Sequence, residues 1–410
     1  MRLRSVCRAL WLALAASASA GVTASAQGRL VGYRSTAITP MYESWSFSDG
    51  VAQPTTSGAG EVLVDHASQF SIPLSARVPL GDNWTFDLST AYSNGRVVLT
   101  GTDPELNTSE YRLSGITDTR VRATGRLTPN ISVTLGLNVP TGKTSLDAEE
   151  FSAFRVLAAP PLSFQIARLG SGFSGTAGVV LSRQLGEAWA GALGLSYEMR
   201  GSYDPGVLIA ALSSSDYSPG DALRVSLGLD GLVGENGMTF GLSAALYPND
   251  DRISSTTLGS DFLTTQLGPV LTIDWQFRMA RSGFRELTLY AVDRYRTNYR
   301  VGSSVTGDEA VDQSSGNYLD AGVRSIIAAG PGTGILAVAN FRHQTGLEVD
   351  NTMATAGIVS GAVTLGLVRD LGRNYSVQPF LRGQVGRISS AGNSGPAISF
   401  GGGVTAGLRF

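Results

Sequence analysis

Residues 70–88 read FSIPLSARVPLGDNWTFDL, and their alternation decides the fold. Phe70, Ile72, Leu74, Ala76, Val78 and Leu80 alternate with Ser71, Pro73, Ser75 and Arg77. After the turn Gly81-Asp82-Asn83, Trp84, Phe86 and Leu88 resume against Thr85, Asp87 and Ser89. Period-two alternation of this length makes a strand with one apolar and one polar face, and the turn makes the pair a hairpin.

The same pattern recurs to the end of the chain. The next hairpin sets Val121, Ala123 and Leu127 against Arg120, Arg122, Thr124 and Arg126, then turns at Thr128-Pro129-Asn130. Further turns fall near 186–187, 234–237, 281–283, 330–332 and 372–374, giving seven hairpins. Long polar connections near 94–117, 141–171, 201–220, 248–263, 297–315, 344–355 and 387–396 separate them. A final strand runs from Ile398 to Phe410, and a weaker one from Ile38 to Phe47, where Met41, Trp45 and Phe47 share a parity. Both together give sixteen strands; without the N-terminal one, closure would rearrange, with fourteen as the alternative. A soluble β-sandwich also alternates, but its strands are shorter and its connections do not segregate into short and long. Ten-residue strands, short turns at one end and long loops at the other describe an all-β, antiparallel up-and-down transmembrane barrel. Closure leaves no unpaired edge in lipid.

Before the barrel comes MRLRSVCRALWLALAASASAGVTASAQG, with Arg2, Arg4 and Arg8 ahead of an apolar stretch and Ala24-Ser25-Ala26 as a cleavage site. It reads as a signal peptide over 1–26, leaving a barrel over 27–410. Cys7 is the only cysteine, so the exported chain would hold no disulfide and no cysteine metal site. Formal charge is −2, which suggests no polyanion and no nucleic acid as partner.

The end of the chain, VTAGLRF, resembles the terminal strand of Gram-negative outer membrane proteins, in which the last aromatic is read by the barrel assembly machinery. That resemblance covers the whole exported chain, implies a bacterial outer membrane location, and assigns the assembly signal to Phe410. More narrowly, ISVTLGLNVPTG (131–142) is similar to a strand followed by Pro-Thr-Gly in the phenol meta-pathway barrels, grouped with the fatty-acid transporter-like barrels. It implies hydrophobic or aromatic compounds as solutes. The asparagine-proline-alanine opening of the fatty-acid transporters is missing from 27–40.

With the apolar parity on lipid, the lumen receives Arg77, Arg120, Arg122, Arg126, Arg224, Arg324, Arg342 and Arg382, against Asp87, Glu198, Asp230, Asp274 and Asp320. Two readings stand: an electropositive path for carboxylated solutes, or arginines that brace a polar interior by pairing across the wall. The longest loop, 141–171, mixes a helix-like opening, Asp147-Ala148-Glu149-Glu150, with Phe151, Phe154 and Phe164. It either folds into the lumen as a constriction or packs on neighbours such as 205–212.

Catalytic and metal signals are thin. GLNVPTGKT (136–144) misses the phosphate-loop spacing by one residue, so Pro-Thr-Gly reads as a strand exit, and Lys143 is the only lysine. His66 and His343 are the only histidines; Asp65, His66 and Ser68 are too close along one strand to meet, so no enzyme is expected. Asn249-Asp250-Asp251 reads as a solvated loop tip, and no metal or cofactor is expected. The function read from sequence is a channel for small solutes, with a filled structural or adhesive barrel as its rival. Lipid, assembly machinery and solute are the expected partners, and homo-oligomers stay open.

Overall fold

A computed structural model describes residues 35–53, 62–101, 108–204, 215–255, 260–303, 308–345, 357–390 and 393–409. The signal-like segment 1–26, the stretch 205–212 and Phe410 lie outside them.

The wall opens with β1 (Ser35–Ile38) and β2 (Met41–Gln53), one strand interrupted at Thr39-Pro40. β3 (Val62–Leu80) and β4 (Trp84–Gly101) form the first hairpin. β5 (Ser109–Ile116) and β6 (Thr119–Thr128) are again one interrupted strand, turning into β7 (Ile131–Val139). The helix α1 (Ala148–Leu157) precedes β8 (Ser174–Leu185) and β9 (Trp189–Arg200). After β10 (Ser215–Ser218) the wall resumes with β11 (Ala222–Val233) and β12 (Asn236–Leu246). Then follow β13 (Asp251–Ser255), β14 (Ser260–Gln266), β15 (Val270–Arg278), β16 (Phe284–Arg296), β17 (Tyr299–Ser303) and β18 (Asp308–Gln313). The chain ends in β19 (Gly316–Gly330), β20 (Thr333–Thr345), β21 (Gly357–Leu371), β22 (Tyr375–Ser390) and β23 (Asn393–Arg409).

Each wall strand pairs antiparallel with its neighbours in sequence, and the N-terminal strand closes the circle. Trp45 stands opposite Ala67 of β3 on one side and Ser399 of β23 on the other. Counting β1–β2 and β5–β6 as one strand each, the barrel has sixteen strands, which decides against fourteen. All seven hairpin turns lie where the alternation placed them.

The interruption at Thr39-Pro40 has a local cause. Pairing with β3 runs from Ile38 opposite Leu74 to Met41 opposite Ser71, so the break faces Pro73. Two prolines, neither with an N–H for the ladder, thereby share one gap. The carbonyls left there are used: Thr39 donates its N–H to Pro73 (3.1 Å), and Val404 donates to Pro40 (3.0 Å).

Directly paired residues point to one side, so register assigns the faces. Leu137, Leu181, Leu227, Leu365, Leu381 and Phe400 point outward and are exposed. Such a belt on a closed barrel fits lipid. Near the short-turn rim, Trp84 and Trp189 lie over Gly125 and Gly231 of the adjacent strands. The parity of β2 corrects one expectation. Met41, Trp45 and Phe47 face inward and are buried, whereas Tyr42 faces out at 46 % exposure.

The long connections also differ from the loops expected. Residues 94–117 are mostly strand, because β4 and β5 rise past the rest of the wall. The connections 201–220, 248–263 and 297–315 contribute β10, β13, β14, β17 and β18, a five-stranded antiparallel sheet at the outer end. This collar continues wall strands beyond breaks at Pro219-Gly220, Pro248 to Asp250 and Leu267 to Pro269. A side chain at Gly220 would meet the Asn249 carbonyl at 2.0 Å, so the bend there needs glycine. Asp251 fixes the bend, accepting from the Gly220 N–H (2.6 Å) and the Tyr217 hydroxyl (2.8 Å). Asp221 accepts from the Tyr197 hydroxyl, the Arg200 N–H and Asn249, and the Tyr197 bond above all holds its carboxyl below the usual carboxylate range.

Replacing Leu365, 58 % exposed on the outer face, with arginine tests the lipid assignment. Unfolding titrations in lipid vesicles are expected to show a loss of about 2–4 kcal/mol if that position lies near the midplane. A neutral effect would place the belt in water.

Candidate functional site

Residues 141–171 leave the wall after β7 and fold into the barrel. Local sequence starts α1: Asp147 accepts from the Glu150 N–H (2.8 Å), and the Glu150 carboxylate accepts from the Asp147 N–H (3.2 Å). This capping box is worth about 1 kcal/mol. Lys143 reaches the same Glu150 at 2.5 Å, a half-exposed pair that adds little. Pro160 and Pro161 follow the last turn, where a helix cannot continue.

The wall receives the loop on an apolar inner surface. Ala153, Val156 and Leu157 of α1, with Leu146, Leu162, Phe164 and Leu169, pack against Trp45, Phe47, Val64, Ala67, Val97 and Leu113. Ile358, Ile388 and Ala397 extend the same core across β21, β22 and β23. The barrel thus holds a hydrophobic core inside its lumen. Each large side chain buried there contributes about 1.5–3 kcal/mol against leaving the lumen wet.

Polar anchors fix the loop's path. Trp45 donates its indole N–H to the Leu162 carbonyl (3.0 Å). The Gln69 amide pairs both ways with the Ile166 backbone, donating at 2.7 Å and accepting at 2.9 Å. Asp118, at the interruption between β5 and β6, holds both ends of the loop. Its carboxylate accepts from the Gly142 N–H (3.0 Å), the Ser171 N–H (2.7 Å) and Asn138 (2.8 Å). A side chain at Gly142 would meet the Leu169 carbonyl at 2.1 Å, so Pro-Thr-Gly does more than end a strand. Its glycine lets the outgoing and returning chains cross.

The aromatic candidates separate. Phe164 is 6 % exposed and belongs to the core that anchors the loop to the wall. Phe151 and Phe154 are partly buried, with ring centroids 6.0 Å apart, and Arg168 lies over Phe154 at 5.7 Å. Arg168 also donates to the Tyr203 hydroxyl (3.2 Å), and the Tyr203 ring meets Tyr217 of the collar edge-on at 5.5 Å. The inward loop and the collar are therefore in contact.

The arginines fall into three groups. Arg77 and Arg122 both pair with Asp87 of β4, at 2.5 and 3.3 Å, and Arg126 donates to Asn83 at 3.1 Å. The run 120–126 is thus partly neutralised from the neighbouring strand, the bracing that stood as one of the two readings of these arginines. Arg120 is exposed and makes no ion pair among the described residues. Arg224 lies inward between Ser196 and Ala245. Arg324, Arg342 and Arg382 are buried deeper, near Glu286 (3.1 Å), Asp320 (3.5 Å) and Glu43 (3.9 Å). His66 lies against Ser44 and Ser46, at 3.5 and 3.4 Å, while Asp65 accepts from Thr100.

The loop's core involves β2–β5 and β21–β23 and leaves the inner face of β9–β12 apart. That face is built from small residues: Ala190, Ala192, Ser226, Gly228 and Ser243 point inward and stay partly exposed. An apolar belt outside, a closed ladder and a polar face within define the architecture. It is a transmembrane β-barrel.

No protein-family pattern matches the sequence, and no curated protein is significantly similar to it. Solved structures similar in shape include Pseudomonas putida OprB at low pH, 12 % identical over 95 % of this chain and 98 % of that one, with a TM-score of 0.46. Pseudomonas aeruginosa OpdK with vanillate is 12 % identical over 92 % and 98 %, with a TM-score of 0.42. The Ralstonia pickettii toluene transporter TbuX is 11 % identical over 92 % and 90 %, with a TM-score of 0.41. At these values the barrel assignment rests on its own strand pairing.

Asp118→Ala is expected to loosen the loop at both ends, because four donors, the Ser171 hydroxyl included, lose a charged acceptor, each bond worth about 1.5–3 kcal/mol. Hydrogen exchange over 141–172 should speed up markedly while β11 and β12 keep their protection. Equal protection of that segment in the variant would show that the apolar core alone holds it.

Proposed function

We propose that this barrel passes small solutes across the outer membrane along the uncovered side of its lumen, past the inward loop. The observation that carries the reading is the asymmetry of the inner wall. One side is apolar and covered by the loop; the other is lined mainly by glycine, alanine and serine, with the charged side chains of Glu198, Arg224 and Asp230 among them. A barrel serving only as a scaffold has no need of a thin-walled polar side.

In this reading the aperture lies between that wall and the loop's exposed face, where Phe151, Phe154 and Arg168 stand. Phe151 and Phe154 offer flat apolar contact, and Arg168 and the exposed Arg120 supply positive charge. Solutes combining an aromatic or other hydrophobic body with a carboxylate suit that combination. Transport is passive, driven by the solute gradient, and involves no catalytic step. An amino-terminal signal delivers the chain for export, and the terminal Phe410 is the mark for assembly into the membrane.

Planar-bilayer recording tests the reading directly. The full-length mature protein should conduct, and its reversal potential in a potassium chloride gradient should show anion preference. Deleting 147–164 should raise the single-channel conductance. Unchanged conductance would remove the loop from the aperture, cation preference would contradict the arginine argument, and a silent barrel would favour a filled lumen acting through its outer surface.

A further inference from the structure

The most tightly enclosed charges of the lumen lie on β19, β20 and β22, facing β2. The Arg342 side chain is 1 % exposed, with Nη2 3.5 Å from Asp320. None of its three guanidinium nitrogens makes a hydrogen bond, and neither do the amide nitrogen and oxygen of Gln344 two residues on, nor Nε of Arg382. Gln344 is likewise 1 % exposed. Buried polar groups are rarely left so, and an arginine carries five N–H donors and no acceptor.

The built-in acceptors are already shared. The Asp320 carboxylate receives Asn340 at 3.2 Å and the Tyr318 hydroxyl at 3.4 Å, and the Tyr290 hydroxyl bonds to it as well. Glu43 accepts the N–H of Gln165 from the inward loop and stands 3.9 Å from Arg382. Arg342 and Arg382 are near enough to repel each other. The Tyr318 ring lies 5.7 Å from the guanidinium carbons of both Arg342 and Arg294. Cations and donors outnumber the carboxylates that can serve them, and the shortfall has the shape of one more carboxylate.

We propose that this cluster, behind the inward loop, is a binding subsite for the carboxylate of a small organic acid. The acid's two oxygens take the planar fork of Arg342, which matches a carboxylate in two parallel bonds. Gln344 supplies a further N–H, and Arg382 is neutralised beside it. Asp320 is the resident competitor for Arg342. This deepens the reading of the barrel as a solute channel and rests on it: the subsite selects which solutes dwell in the lumen.

Titration calorimetry on the full-length folded protein in detergent, with benzoate and its neutral analogue benzyl alcohol as probes, tests the proposal. Benzoate should bind saturably and at least about tenfold more tightly than benzyl alcohol, the scale of one charge-assisted hydrogen bond. Arg342→Gln and Arg382→Gln should each weaken benzoate by about tenfold or more. Asp320→Asn should tighten it, a direction that a cluster serving only to brace the wall would not produce. Equal binding of the two probes, unaltered affinity in both arginine variants, or weaker binding in Asp320→Asn would each overturn the subsite. Should Arg342→Gln fail to fold, judged by heat-modifiable gel mobility, the other two variants decide. Potassium chloride conductance of the same preparations separates the claims. Conductance without benzoate binding removes the subsite alone, whereas binding in a silent barrel removes the channel reading and leaves the cluster an anion site.

Discussion

Inside a hydrocarbon layer every backbone N–H and C=O must find a partner within the protein, and this chain meets that demand by closing β2 between β3 and β23. Everything else follows from that circle. The closing strand is the one least suited to a ladder, because it contains Pro40 and lies against Pro73. Both fall in the same gap, so one interruption absorbs two missing donors, and the carbonyls at the gap are taken by Thr39 and Val404.

Closure creates an inside, and the inside is divided. On the side of β2–β5 and β21–β23 the wall presents apolar residues inward, which would be unfavourable in a water-filled pore. They are paired instead with an amphipathic helix and the apolar stretch after it. The loop is thus a second core element, and its removal would wet the surface around Trp45, Val64 and Val97. Its fixed position also explains the interruption between β5 and β6. Asp118 can turn its carboxylate to both loop ends only because the strand breaks there, and Gly142 can pass Leu169 only because it lacks a side chain.

How much of this was legible in the sequence depends on whether a residue's role is set along its own strand or across strands. The wall was legible because alternation is a local property, and the turns were legible from their short polar clusters. The orientation of Trp45 was not. Its parity is as apolar as an outward face, and only the packing of a loop 117 residues away makes inward correct. The signal that could have shown it is the density of apolar residues on both parities of the outer halves of β2, β3 and β4, which a lipid-facing strand with a wet lumen does not need. The neutralisation of Arg122 by Asp87 was hidden for the same reason, since it depends on register between strands. The collar was hidden because polar Ser-, Thr- and Asp-rich segments read as loops until a neighbour of like length stands beside them.

The lumen arginines finally separate into two physical kinds, and the separation limits what the field of the pore can do. Arg77 and Arg122 share one carboxylate, Asp87, toward the short-turn end, and these close contacts stiffen the wall. Arg342 and Arg382 lie across the lumen from the small-residue face, at greater distance from their acids and with donors unspent. A field is set by charge that is not locally cancelled, and it is stronger where water is excluded. The unspent donors of the interior therefore concentrate on the β20–β22 side, under the loop, and not along the run at 120–126 where arginine is densest in sequence. Counting arginines by face overstates the first group and understates the second, because the count does not register which donors are already spent.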